Sequence, residues 1–168
     1  MNSIVIFYSR AGYNYVNGEI KNLEVGNVEV IANEIVKITN SKTFKIEQVH
    51  PYSNDYSECI EEARRDQRLD IRPELKEIPN NLQNYDVIYL GYPNYWGTMP
   101  MAMFTLLENI NLNGKIIKPF CSHEGSGLGR SVEDIKKLCI NSKVEEGIDF
   151  HGGIIMKEKF EKWINASL

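Results

Sequence analysis

The sequence Gly91-Tyr92-Pro93-Asn94-Tyr95-Trp96-Gly97-Thr98-Met99-Pro100 follows the apolar run of residues 85–90, which predicts a buried strand. Its last proline suits the first turn of a helix, so the stretch is a loop that leaves the carboxyl end of a strand. Exposed tyrosine and tryptophan rings are unfavourable in a surface loop unless they pack against something flat and apolar. We therefore expect a planar ligand beside Tyr95 and Trp96; the alternative is that both rings cap the local core.

Apolar runs alternate with amphipathic segments along the rest of the chain. Strands are predicted at residues 3–8, 43–49, 86–90 and 115–121, and a fifth within residues 144–156. Helices are predicted at residues 27–39, with Asn27 as the N-cap, and at residues 56–69, 101–107, 131–138 and 157–166. This alternation predicts an α/β fold, in which helices cover both faces of a parallel sheet and ligands bind at the carboxyl ends of its strands.

The composition indicates a globular protein without a membrane span. The 168 residues suit a single domain, residues 1–168, with one sheet and one site. A net charge of −4 without a long basic tract argues against nucleic acid as a partner. No apolar run is long enough to cross a membrane and no signal peptide is evident, so we expect a cytoplasmic protein. The three cysteines lack CxxC spacing, which favours reduced packing residues over disulfides or a metal site.

Two further loops carry residues suited to ligand binding. Ser9 follows the first strand, and the backbone of Gly26 and Asn27 opens the first helix; a hydroxyl and free N–H groups there would form an anion site that suits a phosphate. No GxGxxG or P-loop pattern follows that strand. Residues 122–129 are rich in glycine, so their backbone can approach a flat ligand. His123 in this loop is a candidate to donate a proton or to stabilise negative charge; the alternative is an inert surface histidine.

The motifs Tyr8-Ser9-Arg10-Ala11-Gly12, Gly26-Asn27, Tyr92 to Pro100 and Phe120-Cys121-Ser122-His123-Glu124-Gly125-Ser126-Gly127 together resemble the flavodoxin-like flavoproteins, in particular a bacterial flavodoxin branch. The resemblance covers nearly the whole chain. It implies a doubly wound, three-layer fold with five parallel strands in the order 2-1-3-4-5, and FMN as the cofactor. The cofactor-binding residues that it implies are Ser9, Arg10, Gly26, Asn27 and Val28 for the phosphate, and Pro93, Asn94, Tyr95, Trp96, Gly97, Thr98, Ser122, His123, Glu124, Gly125 and Gly127 for the flavin.

The segment of residues 10–26 departs from the compact phosphate loop of that family, and Val28 stands where the family usually has a threonine. The segment shows neither a helical nor a strand period of useful length, and its glycines predict turns and loop. An irregular loop of this length is usually functional or disordered. Because Tyr13 and Tyr15 follow Ser9 closely, we expect the loop to fold over the flavin edge as a lid; the alternative is a surface loop that packs on itself.

The resemblance leaves three functions open. The first is an FMN protein that passes electrons through its flavin to a redox partner protein or a small acceptor. The second is an NAD(P)H-dependent reductase of quinone-type acceptors, which the Tyr-Trp-Gly loop and the mild net charge favour. The third is a phosphate-ligand binder without redox activity, because a fold does not fix a function.

Overall fold

The computed structural model of the chain describes residues 1–166, so residues 167 and 168 of the predicted domain lie outside the described part. The strands are β1 Ser3–Phe7, β2 Gly12–Val16, β3 Glu19–Leu23, β4 Lys42–Lys45, β5 Val87–Pro93, β6 Ile116–His123, β7 Lys143–Val144 and β8 Ile148–His151. The helices are α1 Asn27–Thr39, α2 Tyr56–Arg68, α3 Met101–Asn109, α4 Ser131–Leu138 and α5 Lys157–Asn165, with a short 3₁₀ turn at Leu82–Asn84. None of the described helices is both long and apolar enough to cross a membrane.

The central sheet is parallel and has the strand order β4-β1-β5-β6, with β7 and β8 both paired to the outer edge of β6. This order confirms the predicted flavodoxin-like α/β fold, except that the fifth strand is divided into two short pieces. The division lies opposite Lys118 and Pro119, because β7 pairs with residues 116–117 of β6 and β8 with residues 120–123. Pro119 has no N–H to contribute to a ladder, which suits this position.

Helices cover both faces of the sheet, and the side chains of β1 are buried on both faces. These side chains alternate: Val5 and Phe7 pack with apolar residues of α1 and α5, whereas Ile4 and Ile6 pack with those of α3 and α4. A strand buried on both faces is apolar without interruption, as the sequence of β1 is. Full burial of one such side chain contributes about 1.5–3 kcal/mol. These two cores hold the sheet rigidly and leave the loops at its carboxyl edge available for a site.

Residues 10–26 form a β-hairpin for most of their length, so the prediction of an irregular loop is wrong there, as is the prediction of a single sheet. Strands β2 and β3 pair antiparallel, apart from the central sheet. Asn17 and Gly18 connect them with φ angles of 50° and 86°, the backbone that a tight two-residue hairpin turn requires. The strand residues of the hairpin are exposed or half-buried, so no long apolar pattern marks them in the sequence.

Two boundaries also differ from the predictions. The predicted strand of residues 43–49 ends at Lys45, and residues 47–49 instead pair antiparallel with residues 74–76 through the bonds Val49 N–H to Glu74 O and Lys76 N–H to Glu47 O, both 2.9 Å. The N-cap of α1 is Gly26 and not Asn27, which is the first helical residue. This N-cap position requires glycine, because a side chain on Gly26 would collide with Ser9 and Arg10 at the end of β1.

Lys118 is a charged residue in the buried part of β6, with only 1% of its surface exposed. Its ammonium group donates to the carbonyl oxygens of Trp163, Ile164 and Ala166, at 2.5, 3.1 and 2.7 Å. These carbonyls end α5 and have no further helical turn to bond. Burial lowers the pKa of Lys118. The side chain therefore fastens the end of α5 to the sheet.

Candidate functional site

A cavity of 370 Å³ opens at the carboxyl ends of β1, β5 and β6. Its volume lies in the usual range for small-molecule sites. The residues that line it are Arg10, Asn14, Tyr15, Asn27, Tyr56, Cys59, Ile60, Ala63, Pro93, Asn94, Tyr95, Trp96, Ser122, His123, Glu124 and Ser126.

The cavity brings together residues from all three loops that the sequence singled out. The predicted cofactor-binding residues that line it are Arg10, Asn27, Pro93, Asn94, Tyr95, Trp96, Ser122, His123 and Glu124. Those that do not line it are Ser9, Gly26, Val28, Gly97, Thr98, Gly125 and Gly127. The second group lies within two residues of lining residues in the chain.

Trp96 lies at the tip of a tight turn that its neighbours hold in place. Tyr95 N–H donates to Thr98 O at 2.7 Å, and the φ angles of Trp96 and Gly97 are 55° and 90°. A left-handed backbone is uncommon for a bulky residue, so the turn must be held by other contacts. The Trp96 indole donates to Ile60 O at 2.9 Å, and the Arg64 guanidinium lies 4.3 Å from the centre of the indole. The indole, 41% exposed, is thus fixed against α2 with one face covered by a cation.

Tyr95 lies deeper, between the Tyr8 ring and α2. The two rings meet edge to face with their centres 5.9 Å apart. Burial raises the pKa of Tyr95 well above its ordinary value of 10.0. Its phenol is therefore neutral at physiological pH and presents a ring and a hydroxyl, but no charge, to the cavity.

The opposite wall is formed by the end of β6 and the loop that follows. His123 Nε2 lies 2.7 Å from Asp149 Oδ2, and Gly125 N–H donates to His123 Nδ1 at 2.8 Å. Ser122 Oγ donates to Gly152 O at 2.8 Å. Both ring nitrogens of His123 are therefore engaged with the protein.

Glu124 brings a buried carboxylate to the same wall. Neither of its oxygens accepts a hydrogen bond from any residue in the described range 1–166, although Oε2 lies 2.7 Å from His151 Nε2, at ion-pair distance. Asn27 lies nearby: a Cβ atom placed on Gly152 would be 3.6 Å from Asn27 Nδ2 and 3.8 Å from Glu124 Oε1. A buried carboxylate oxygen that accepts no hydrogen bond is costly, so these oxygens are available to accept one from a ligand.

The start of α1 brings the Ser9 hydroxyl next to the first backbone N–H groups of the helix. A Cβ atom on Gly26 would lie 2.3 Å from Ser9 Oγ and 2.7 Å from Arg10 O, so only glycine fits where the end of β1 crosses the helix. Ser9 Oγ accepts from Glu29 N–H at 3.1 Å and keeps its own hydrogen free to donate. Within residues 1–166, no protein acceptor contacts the N–H groups of Asn27 and Val28.

The guanidinium of Arg10 is bonded to protein acceptors beside the cavity. It donates to Tyr13 O, to Asn14 Oδ1 at 3.2 Å, to Ser53 O at 2.9 Å and to Asn54 O at 3.1 Å. These acceptors belong to the hairpin and to the loop before α2. Arg10 therefore joins two walls of the cavity.

The cavity also has lining residues that were not predicted to bind the cofactor: Asn14 and Tyr15, in the segment that was expected to cover the flavin, Tyr56, Cys59, Ile60 and Ala63 of α2, and Ser126. The rings of Tyr15 and Tyr56 stack with their centres 6.2 Å apart and an angle of 29° between their planes. The dipeptide Asn17-Gly18 is a strong hairpin signal and could have revealed β2 and β3. The apolar stripe of α2 can be seen in the sequence, but the sequence does not show that this stripe faces the cavity.

The three cysteines are free and buried. Burial raises the pKa of Cys59 and Cys121, and that of Cys139 to about 11. These thiols are protonated at physiological pH and serve as packing residues.

Fold and cavity define a doubly wound α/β protein with a ligand site at the carboxyl ends of its strands. Residues 23–167 match the model of a family described as Flavodoxin, so the chain belongs to the flavodoxin family. No curated protein matches the chain.

Several solved structures share the fold. A Bacteroides eggerthii protein proposed to be a flavoprotein is similar with a TM-score of 0.79 and 21% identity, over 98% of this chain and 96% of that one. A Lactobacillus acidophilus flavoprotein in complex with FMN has a TM-score of 0.68 and 17% identity, over 96% and 97% of the chains. Flavodoxin 2 of Bacillus cereus has a TM-score of 0.51 and 21% identity, over 97% and 93%.

Proposed function

We propose that this protein binds FMN in the 370 Å³ cavity and transfers electrons through it. The observation that carries the proposal is the meeting of three features around one cavity: an aromatic wall, a buried carboxylate that accepts no hydrogen bond within residues 1–166, and a helix N-terminus whose first N–H groups have no acceptor in that range. Membership of the flavodoxin family supports it, and so does the fold shared with an FMN-bound flavoprotein.

The start of α1 suits the phosphate. The N–H groups of Asn27 and Val28 and the hydroxyl of Ser9 are donors, and the positive end of the helix dipole favours an anion. Arg10 is committed to protein acceptors, so we assign it to the walls of the site rather than to the phosphate. A single phosphate at one helix start favours FMN over FAD.

The two loops suit the two sides of the flavin ring. Tyr95 and Trp96 present flat apolar surface on one side, and His123 and Glu124 form the other. The carboxylate of Glu124 can accept from an N–H on the edge of the ring, which would give its oxygens a hydrogen bond that residues 1–166 do not supply. These residues bind and orient the ring and exclude water from it. When bound, the flavin would supply the electron transfer itself.

A second candidate is a flavin-dependent NAD(P)H reductase of small planar acceptors. The observation that favours it is that the hairpin and α2 both line the cavity, where the rings of Tyr15 and Tyr56 stack on each other. A small molecule can enter such a slot more readily than a partner protein can reach its floor. A carrier would pass its electrons to a redox partner protein instead.

The test of FMN binding is the absorption spectrum of the purified protein, followed by mass analysis of the flavin that heat releases. We expect FMN; a colourless protein that does not bind added FMN, or FAD as the main species, would contradict the proposal. Anaerobic reduction then separates the two candidates. Rapid reduction by NADH or NADPH indicates a reductase, and reduction only by light or a chemical reductant indicates a carrier.

A further inference from the structure

We propose that His123 is a positioning residue: its neutral imidazole fastens the loop of residues 124–127 to the end of β6, and acidification releases that loop. The proposal concerns the same site as the proposed function, but its central test needs no bound cofactor.

The hydrogen bonds of His123 define its tautomer. Gly125 N–H can donate to Nδ1, at 2.8 Å, only if Nδ1 carries no proton. The proton of the neutral ring is then on Nε2, which donates it to Asp149 Oδ2 at 2.7 Å. No N–H of this ring is left to point into the cavity, so the geometry favours positioning over proton donation to a bound ligand.

The charged and titratable groups around the ring come from three elements. On β8, Asp149 accepts from His123, and the ring of His151 lies 5.7 Å away between centres. In the loop, Glu124 pairs with His151, at 2.7 Å. On α5, Lys159 lies 3.9 Å from the other oxygen of Asp149. Asp149 is therefore balanced by Lys159 in addition to His123, and Glu124 is balanced by His151.

A second proton on His123 reverses the role of Nδ1. Two N–H groups, one on Nδ1 and one on Gly125, would then face each other across 2.8 Å, and the contact must open. The loop can respond because Gly125 and Gly127 have φ angles of 130° and 66° and because no atom lies within 4 Å of a Cβ placed on Gly125. Glycine also moves between backbone conformations at little steric cost.

Opening this contact changes the wall of the cavity. Glu124 and Ser126 line the cavity, and Gly125 lies between them in the chain. Release of Gly125 therefore loosens the backbone between the two lining residues. A histidine is suited to this task because its charge changes in the neutral to mildly acidic range.

The test follows the Gly125 amide of the ligand-free protein by ¹⁵N NMR and hydrogen exchange, from about pH 5 to about pH 8. In the native protein we expect Gly125 to be protected at the upper pH and to lose its protection on acidification. His123→Asn should keep the protection at every pH, because a side-chain carbonyl can accept from the N–H two residues later and does not titrate. His123→Ala should lose it at every pH.

His50 provides the matched control. It lies in the loop before α2, so His50→Gln should keep the pH response of the native protein. The proposal is wrong if Gly125 loses its protection in the same way in His123→Asn, or stays protected in folded His123→Ala. If His123→Ala does not fold, the asparagine variant still decides.

FMN titration supplies the second readout. The native protein should bind FMN about 2- to 10-fold more weakly after acidification, the equivalent of one net hydrogen bond, and His123→Asn should not show this loss. Equal losses in both proteins would contradict the role of His123. Failure to bind FMN at any pH would contradict the proposed function, while the Gly125 measurements would still judge the proposal made here.

Discussion

Asn94 donates its side-chain N–H to Gly127 O at 2.7 Å and so ties together the two loops that flank the cavity. The same side chain accepts from Gly97 N–H at 2.9 Å, which supports the turn that carries Trp96. One amide therefore sets the spacing between the aromatic wall and the glycine-rich wall. The width of the cavity depends on it.

Replacement of Asn94 should loosen both contacts. Asn94→Ala leaves the Gly97 N–H and the Gly127 carbonyl without this partner, which should lower the free energy of unfolding by about 1–3 kcal/mol in urea titrations. Asn94→Asp keeps an acceptor for Gly97 but loses the donor to Gly127. FMN binding should therefore weaken in both variants. Wild-type affinity in folded Asn94→Asp would show that the contact between the loops does not set the width of the cavity.

Truncation of Trp96 should weaken FMN binding. Stacking on an aromatic ring is worth about 1–3 kcal/mol for nucleic-acid bases, which corresponds to roughly 5- to 150-fold in affinity. Trp96→Phe is the control, since it keeps a ring but loses the indole donor to Ile60. Titration of the apoprotein with FMN measures both. An unchanged dissociation constant in folded Trp96→Ala would show that the indole caps the local core and does not stack on the flavin.

Deletion of residues 13–25 removes the hairpin that carries Tyr15. If the hairpin covers the flavin, its deletion should weaken FMN binding and speed the oxidation of reduced protein by oxygen, because Asn14 and Tyr15 line the cavity. Stopped-flow oxidation and FMN titration give the two quantities. Tyr15→Ala is a milder companion that removes only the ring stacked on Tyr56. If neither quantity moves in a folded deletion variant, the hairpin is a surface element and not a lid.

Stability should fall in alkaline solution, partly through Cys139. Burial raises the pKa of this thiol from 9.0 to about 11, so the unfolded chain loses the proton first. The contribution of the protonated thiol to stability is therefore intact below pH 9 and is lost as the pH rises towards 11. Urea unfolding across this range should show a smaller decline for Cys139→Ala than for the native protein. Parallel declines would show that Cys139 is not among the groups responsible.

The alternation of strands and helices was predictable because apolar runs alternate with amphipathic segments along the chain, whereas the order of the strands followed from the family resemblance. The site was only partly predictable. Loops at the carboxyl ends of strands converge by topology alone, so Tyr95, Trp96 and His123 could be assigned to one edge. The pairs His123–Asp149 and His151–Glu124 depend on the register of β6 and β8, which no local pattern encodes.

Other features also depend on contacts between residues far apart in the chain, so the local sequence could not predict them. The role of Arg10 could not be inferred, because its acceptors at Ser53 and Asn54 lie far along the chain. Lys118 interrupts an apolar strand. Its role as a donor to the last carbonyl oxygens of α5 could not be predicted without the position of that helix. The hairpin, in contrast, had a local signal in Asn17-Gly18 that was outweighed by the polarity around it.

The close approach of Gly26 to Ser9 and Arg10 also bears on how this chain could have diversified. The segment between them begins and ends at almost the same point, since a Cβ atom on Gly26 would lie 2.3 Å from Ser9 Oγ and 2.7 Å from Arg10 O. Inserts of different length and sequence could therefore be exchanged at this junction without moving β1 or α1. The junction lies beside the cavity. A different insert there would therefore change how easily a ligand enters the cavity, while the sheet and its two cores stay unchanged.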